Sequence, residues 1–301
     1  MAQRETFRTL IAANCRNSAI LMVIMCVLFA VAGALFGEIL VGDYLLGLLV
    51  GGVIVFVLLL FAWAGGQSAI MAINGAEEIC KEDCPQLFNV VEEMSLAAGV
   101  PMPKVYIIPT DCPNAFATGP NPENAAVAIT TGLYEKLTRD ELQGVIAHEM
   151  AHIRNYDIRY SMLMAVLAGG IVILSEVFLR TSIFSRRRDD REGNLGLILM
   201  IIGIVFAILS PILTALIQMA MSRQREYLAD ASAVEFTRNP DGLANALAKL
   251  AADTEPMEYS KTSESMYIVS PALNLREGMD SLFSTHPPIE ERIKRLRELR
   301  G

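Results

Sequence analysis

Apolar and polar positions alternate along this chain in two regimes. Residues Ala19 to Phe36 carry no charged side chain, and neither do Tyr44 to Gly66. As helices, both runs are long enough to cross the hydrocarbon layer of a bilayer. A third apolar run, Tyr160 to Leu179, is interrupted only by Glu176, with Arg180 four residues on. That spacing predicts an ion pair at the end of a span. A fourth run extends from Leu195 to about Met221, and Pro211 predicts a kink in it.

Between and after these runs the pattern belongs to a water-soluble domain. Pro85 to Ala98 places Leu87, Val90, Val91 and Met94 on one helical face. Lys104 to Pro109 and Ala125 to Thr130 read as buried strands, with Asn114 to Gly119 as a short extended segment among turn residues. Thr138, Arg139, Asp140 and Glu141 form a capping-box pattern opening a helix that ends near Asn155. Ser222 to Glu235 and Asp241 to Ala252 predict two more helices. Glu255 to Ser284 reads as an irregular loop, and Ser284 to Pro288 as a rigid turn. A last helix carries Ile289, Ile293 and Leu296 on one stripe. The expected organisation is an N-terminal transmembrane hairpin (1–66), the first part of a soluble domain (67–159), a second apolar hairpin (160–221) and the rest of the soluble domain (222–301).

Composition supports a membrane protein. Of 301 residues, 53% are hydrophobic, and the mean hydropathy of +0.40 is high for a soluble globule. The net charge of −8, with no basic cluster interleaved with aromatics, argues against nucleic acid as a partner. Arg4, Arg8 and Arg16 precede the first span, whereas the turn after it holds Glu38 and Asp43 but no basic residue. The positive-inside rule therefore places the N-terminus in the cytoplasm. The Arg-rich stretch between the third and fourth runs conflicts with simple alternation, so full crossing by that pair stays open. Cys15, Cys26, Cys80, Cys84 and Cys112 form no disulfide framework and read as reduced.

Candidate chemistry centres on His148-Glu149-Met150-Ala151-His152. Two imidazoles four residues apart lie on one helical face and can offer ring nitrogens to one cation. Glu149 can stand beside that cation as a base. The pattern points to a metal-dependent hydrolase acting on peptide bonds. A catalytic zinc needs three protein ligands and an open position, and Glu226, on a helix that follows the fourth run, is the candidate third. Asp230 lies one turn beyond it and can accept a hydrogen bond from the outer nitrogen of a ligand imidazole. His286, stiffened by Pro287 and Pro288, is a candidate donor to the transition state.

Taken in order, the paired N-terminal spans, N-A-F-A-T-G at 114–119, H-E-M-A-H at 148–152, two further apolar runs, R-E-Y-L-A-D at 225–230 and T-H-P-P at 285–288 resemble the HtpX-type membrane zinc metalloproteases, which are related to the CAAX prenyl endopeptidases. The resemblance implies a mainly α-helical integral membrane protein, its helical anchor joined to a zincin-like (gluzincin) catalytic domain with a small β-sheet. It implies one zinc ion held by His148, His152 and Glu226, with Glu149 as acid/base. By the same resemblance, Asn114, Ala115, Phe116 and Ala117 form an edge strand that aligns polypeptide substrates. It further implies a multi-pass protein of the cell membrane that degrades damaged or misassembled proteins at the cytoplasmic face. The competing expectation is a non-catalytic membrane scaffold with a structural metal site. A transporter with a metal-sensing domain is weaker, because the spans lack an ionisable pathway. The sequence leaves the oligomeric state open.

Overall fold

The computed structural model describes residues 41–163, 223–252 and 287–299, with isolated helical positions within 12–38 and 165–201. Two compact units result. One comprises Met1–Cys15, Gly66–Met162 and Gln218–Gly301, the other Arg16–Gly65 and Leu163–Ile217.

Helix α1 (Tyr44–Ile73), of which the residues up to Gly65 belong to the second unit, is 30 residues of almost unbroken apolar sequence. It is long and apolar enough to cross a membrane. Asp43 caps its start, Oδ1 accepting the N–H groups of Leu45 and Leu46 at 2.9 and 3.1 Å. Gly47 and Gly51 let the preceding helical positions come very close. A Cβ on Gly47 would lie 2.6 Å from the Cα of Gly37, and one on Gly51 would lie 2.6 Å from the carbonyl oxygen of Phe29. Small residues four apart allow such backbone-to-backbone packing between membrane helices. The helix outruns the span expected to end at Gly66 and stops only at Gly75, whose φ of 65° breaks it. Glu176 and Arg180 pair at 3.3 Å, as their spacing predicts.

The first unit is built on a four-stranded sheet in the order β1-β2-β4-β3. Its strands are β1 (Glu77–Glu78), β2 (Lys104–Ile108), β3 (Ala115–Thr118) and β4 (Ala126–Thr130). β2 and β4 run parallel, with Val105 opposite Val127, while β3 pairs antiparallel with β4, Phe116 opposite Ala128. Three helices in the middle of the chain complete this half: α2 (Pro85–Ala98), α3 (Thr131–Lys136) and α4 (Arg139–Arg154). Alternate residues Val105, Val127 and Ile129 meet Leu87, Val90, Val91 and Met94 of α2 and Leu142, Val145 and Ile146 of α4 in one core. β1 and α3 escape the sequence reading because two and six residues are too short to show a period.

α4 is the central element. Thr138 and Glu141 close the expected capping box, and Lys249 reaches Glu141 at 2.7 Å. Around α4 pack α5 (Arg223–Thr237) and α6 (Pro240–Ala251), and α7 (Ile289–Glu298) packs against both α5 and α6. At the α4–α6 crossing, a Cβ on Gly144 would lie 2.5 Å from the backbone nitrogen of Leu243, so glycine permits the contact. The fourth apolar run with Pro211, the Arg-rich stretch after Arg180, the loop at 255–284 and His286 lie outside the described residues.

Candidate metal centre

His148, Glu149 and His152 lie on the last turns of α4, in a helix otherwise packed with Ala147, Met150 and Ala151. The ring nitrogens His148 Nε2 and His152 Nε2 face each other at 3.2 Å. The imidazole planes stand at 90°. Glu226, in the first turn of α5, brings its carboxylate between them, Oε2 at 3.6 Å from His148 Nε2 and Oε1 at 3.5 Å from His152 Nε2. Among the described residues these three form a cluster whose donor atoms all lie within 4.8 Å of one another.

The opposite edges of both rings are held by carboxylates. Asp230 Oδ1 lies 3.0 Å from His148 Nδ1, and Asp157 Oδ2 lies 3.0 Å from His152 Nδ1. Asp157 follows a tight exit from the helix, in which Asn155 is the C-cap and Tyr156 takes a left-handed φ of 61°. That turn folds the chain back beneath His152. Asp230 is in turn gripped by Arg292 of α7, whose Nη2 and Nε donate to its two oxygens at 2.7 and 2.9 Å. The Arg292 side chain is completely buried and its Nη1 also lies 3.7 Å from Glu226.

This arrangement carries an imbalance. Glu149, Asp157, Glu226 and Asp230 are four buried carboxylates, against the two buried guanidinium groups of Arg225 and Arg292. With neutral imidazoles, two negative charges stay uncompensated in a low-dielectric interior, which is costly. Protonation of the rings is one remedy. Burial pushes the His152 imidazole down, but its bond to Asp157 and the charges of Glu226, Asp157 and Glu149 lift it to about 9. Burial likewise opposes the His148 charge, yet Asp230 and Glu226 hold it above the ordinary histidine value. Burial pushes Asp230 up, but Arg292 and His148 together outweigh it and hold the carboxyl below its ordinary value, so it stays ionised. Arg292 is held firmly charged, its burial outweighed by Asp230, Glu226 and Glu149.

A divalent cation is the other remedy, and the donor set fits one. With each Nδ1–H engaged by a carboxylate, both Nε2 atoms present lone pairs to the same point. Two imidazole nitrogens and a carboxylate oxygen, all within 4.8 Å of one another, are the donor types that a zinc ion takes. The cluster found among the described His, Cys, Asp and Glu residues has these three members.

Of the remaining residues singled out from sequence, Ala115 to Ala117 lie in β3, an outer strand of the sheet among the described residues, Asn114 directly precedes it, and all four are buried. Asn114 Oδ1 accepts the N–H of Ala115 at 3.0 Å. His286 is outside the described residues. Sequence reasoning missed Asp157, Arg225 and Arg292. For Arg292 a signal existed: it lies at helical spacing between Ile289 and Leu296, on the apolar stripe rather than opposite it.

A profile of peptidase family M48 matches residues 82–300. A protease HtpX homolog of Dictyoglomus thermophilum is 46% identical over 294 residues, covering 97% of this chain and 94% of the relative. One from Listeria monocytogenes is 46% identical over 300 residues, covering 96% and 98%. Among solved structures, S. mikatae Ste24p is similar with a TM-score of 0.51 at 17% identity. That alignment covers 95% of this chain and 66% of the other, just under two thirds of its length, and speaks to the fold.

Proposed function

We propose that this chain, which belongs to peptidase family M48 and is a metalloprotease, is an integral-membrane zinc endopeptidase that degrades misfolded or misassembled membrane and other proteins. One observation supports the chemistry above all: three lone-pair donors converge at a point where the buried charges sum two units negative. His148, His152 and Glu226 would hold one zinc ion per chain. Zinc bound there supplies Lewis acidity, lowering the pKa of a water and stabilising negative charge on a scissile carbonyl. Glu149 takes the proton of the attacking water and returns it to the departing amine. Asp157 and Asp230 keep the ligand protons on Nδ1 and the rings in place. Arg292 holds Asp230 and offsets part of the negative charge.

β3 is the candidate platform for an extended substrate. By antiparallel alternation, Ala115 and Ala117 turn their main-chain groups away from β4; the Ala115 N–H is taken by Asn114 Oδ1, which leaves its carbonyl and the groups of Ala117 for a further strand. α1 and the earlier helical positions anchor the protein in the cell membrane as a multi-pass protein. The basic N-terminus and acidic first turn favour a catalytic domain on the cytoplasmic face. A purely structural metal site would be closed by four protein ligands, whereas the described cluster offers three and sets a buried carboxylate beside them.

Metal analysis of detergent-purified protein, together with cleavage of an unfolded polypeptide with and without a chelator, tests this reading. About one zinc per chain and chelator-sensitive cleavage are expected. Full activity in a metal-free sample would refute it.

A further inference from the structure

The two candidate ligand imidazoles are backed differently. Behind His148, Asp230 is locked by two short bonds from Arg292. Behind His152, Asp157 Oδ1 lies 3.6 Å from Arg225 Nη1, within ion-pair range but too long for a good hydrogen bond. That guanidinium also faces an aromatic ring. Arg225 Cζ stands 4.8 Å from the centroid of the Tyr160 ring, a cation–π distance. Both side chains are nearly closed to solvent, Arg225 with 10% and Asp157 with 4% of the side chain exposed. A surface-charge role for Arg225 is therefore ruled out by burial.

We propose that Arg225, seated on Tyr160, is a positioning residue for the reaction: it orients the Asp157 carboxylate, which keeps the His152 proton on Nδ1 and its Nε2 lone pair facing the metal. The proposal rests on His152 being a ligand, as read above. Its physical basis is the tautomer. An imidazole whose Nδ1–H loses its acceptor moves its proton to Nε2 at little cost, and a protonated Nε2 cannot bind a cation. Asp157 prevents this only while correctly turned. Arg225 is the cation that faces its second oxygen, and burial leaves the pair weakly screened. The placement also makes α5 serve both rings. Glu226 reaches the metal position, Asp230 backs His148, and Arg225 steadies the group behind His152.

Zinc affinity of the full-length protein in detergent, measured against a chromophoric chelator, tests the assignment, with kcat and KM taken at saturating zinc. Arg225→Met should weaken zinc binding about tenfold, the low end of the range for outer-shell partners, and leave KM for an unfolded substrate unchanged. Arg225→Lys should recover part of the loss, since it restores charge without the planar stack. In an Asp157→Asn background the Arg225→Met change should cost less than twofold more, because both act along one path. Tyr160→Leu, which removes the seat and keeps both charges, should weaken zinc binding about threefold, and it decides the matter if Arg225→Met does not fold. Wild-type zinc affinity in Arg225→Met or Tyr160→Leu, or independent effects of Arg225→Met and Asp157→Asn, would overturn the proposal. His152→Ala separates the two levels. If it binds zinc normally, the ligand reading itself falls; if it loses zinc while Arg225→Met does not, only the role given to Arg225 falls.

Discussion

Glu149 and Glu226 show how position assigns chemistry to one residue type. Both are buried, at 2% and 3% exposure. Glu226 places its oxygens within 3.6 Å of two ring nitrogens, whereas Glu149, next to the first ring in sequence, is the residue proposed above for proton transfer. Replacing Glu149 by Gln should leave zinc stoichiometry unchanged and reduce cleavage by at least about a hundredfold, read by parallel metal and peptidase assays. Arg292→Met removes the cation from beside Asp230 and Glu226. It should destabilise the metal-free protein by about 3–5 kcal/mol, the usual cost of orphaning a buried ionic partner, read from denaturant midpoints. These side chains differ in how far the sequence reveals them. The pentad and Glu226 are legible because helical spacing and ligand chemistry constrain them locally. Arg292 meets His148 across 144 residues, and a lone arginine in an amphipathic helix resembles any solvated charge until the stripe it lies on is counted. Asp157 hides for another reason: the left-handed Tyr156 that turns it under His152 has no glycine to announce it.

At the scale of elements, α4 owes its place to two local devices. One is the capping box. Thr138→Ala should cost about 1 kcal/mol. Glu141 is raised by burial, but its bonds to Lys249 and Thr138 more than reverse this and hold its carboxyl below the ordinary value of 4.5. A lowered folded pKa adds stability that is present above the unfolded value and lost as pH falls through the folded one. The stability gap between wild type and Glu141→Gln should therefore be full at pH 7 and shrink below about pH 4.5, as urea titrations at several pH values can show. The other device is Gly144. A valine there would drive its Cβ into the backbone of α6, and overpacking of this kind should cost about 1–3 kcal/mol, with a matching fall in melting temperature. Apart from the end of α1 and the short β1 and α3, the described helices and strands were readable from apolar spacing to within a residue or two. The sheet order was not, because pairing β2 with β4 across the inserted β3 depends on contacts that no local period records.

For the whole molecule, the metal should couple function to stability. Chelation is expected to abolish cleavage and lower the melting temperature, and zinc alone should restore both. Ligand held at a hundred times its dissociation constant adds about 2.7 kcal/mol, so the effect is measurable by scanning fluorimetry. Apolar runs announced a membrane protein from the sequence, and α1 carries that reading in the described residues. The pairing of chain segments around the centre has a consequence in time. α4 brings two rings and one acid, α5 arrives about 70 residues afterwards with two more acids, and the guanidinium of α7 is about 60 residues later still. A ribosome makes these in that order. During synthesis the half-built pocket holds surplus acid, and the Asp230 carboxylate gains its guanidinium partner only once α7 has been made.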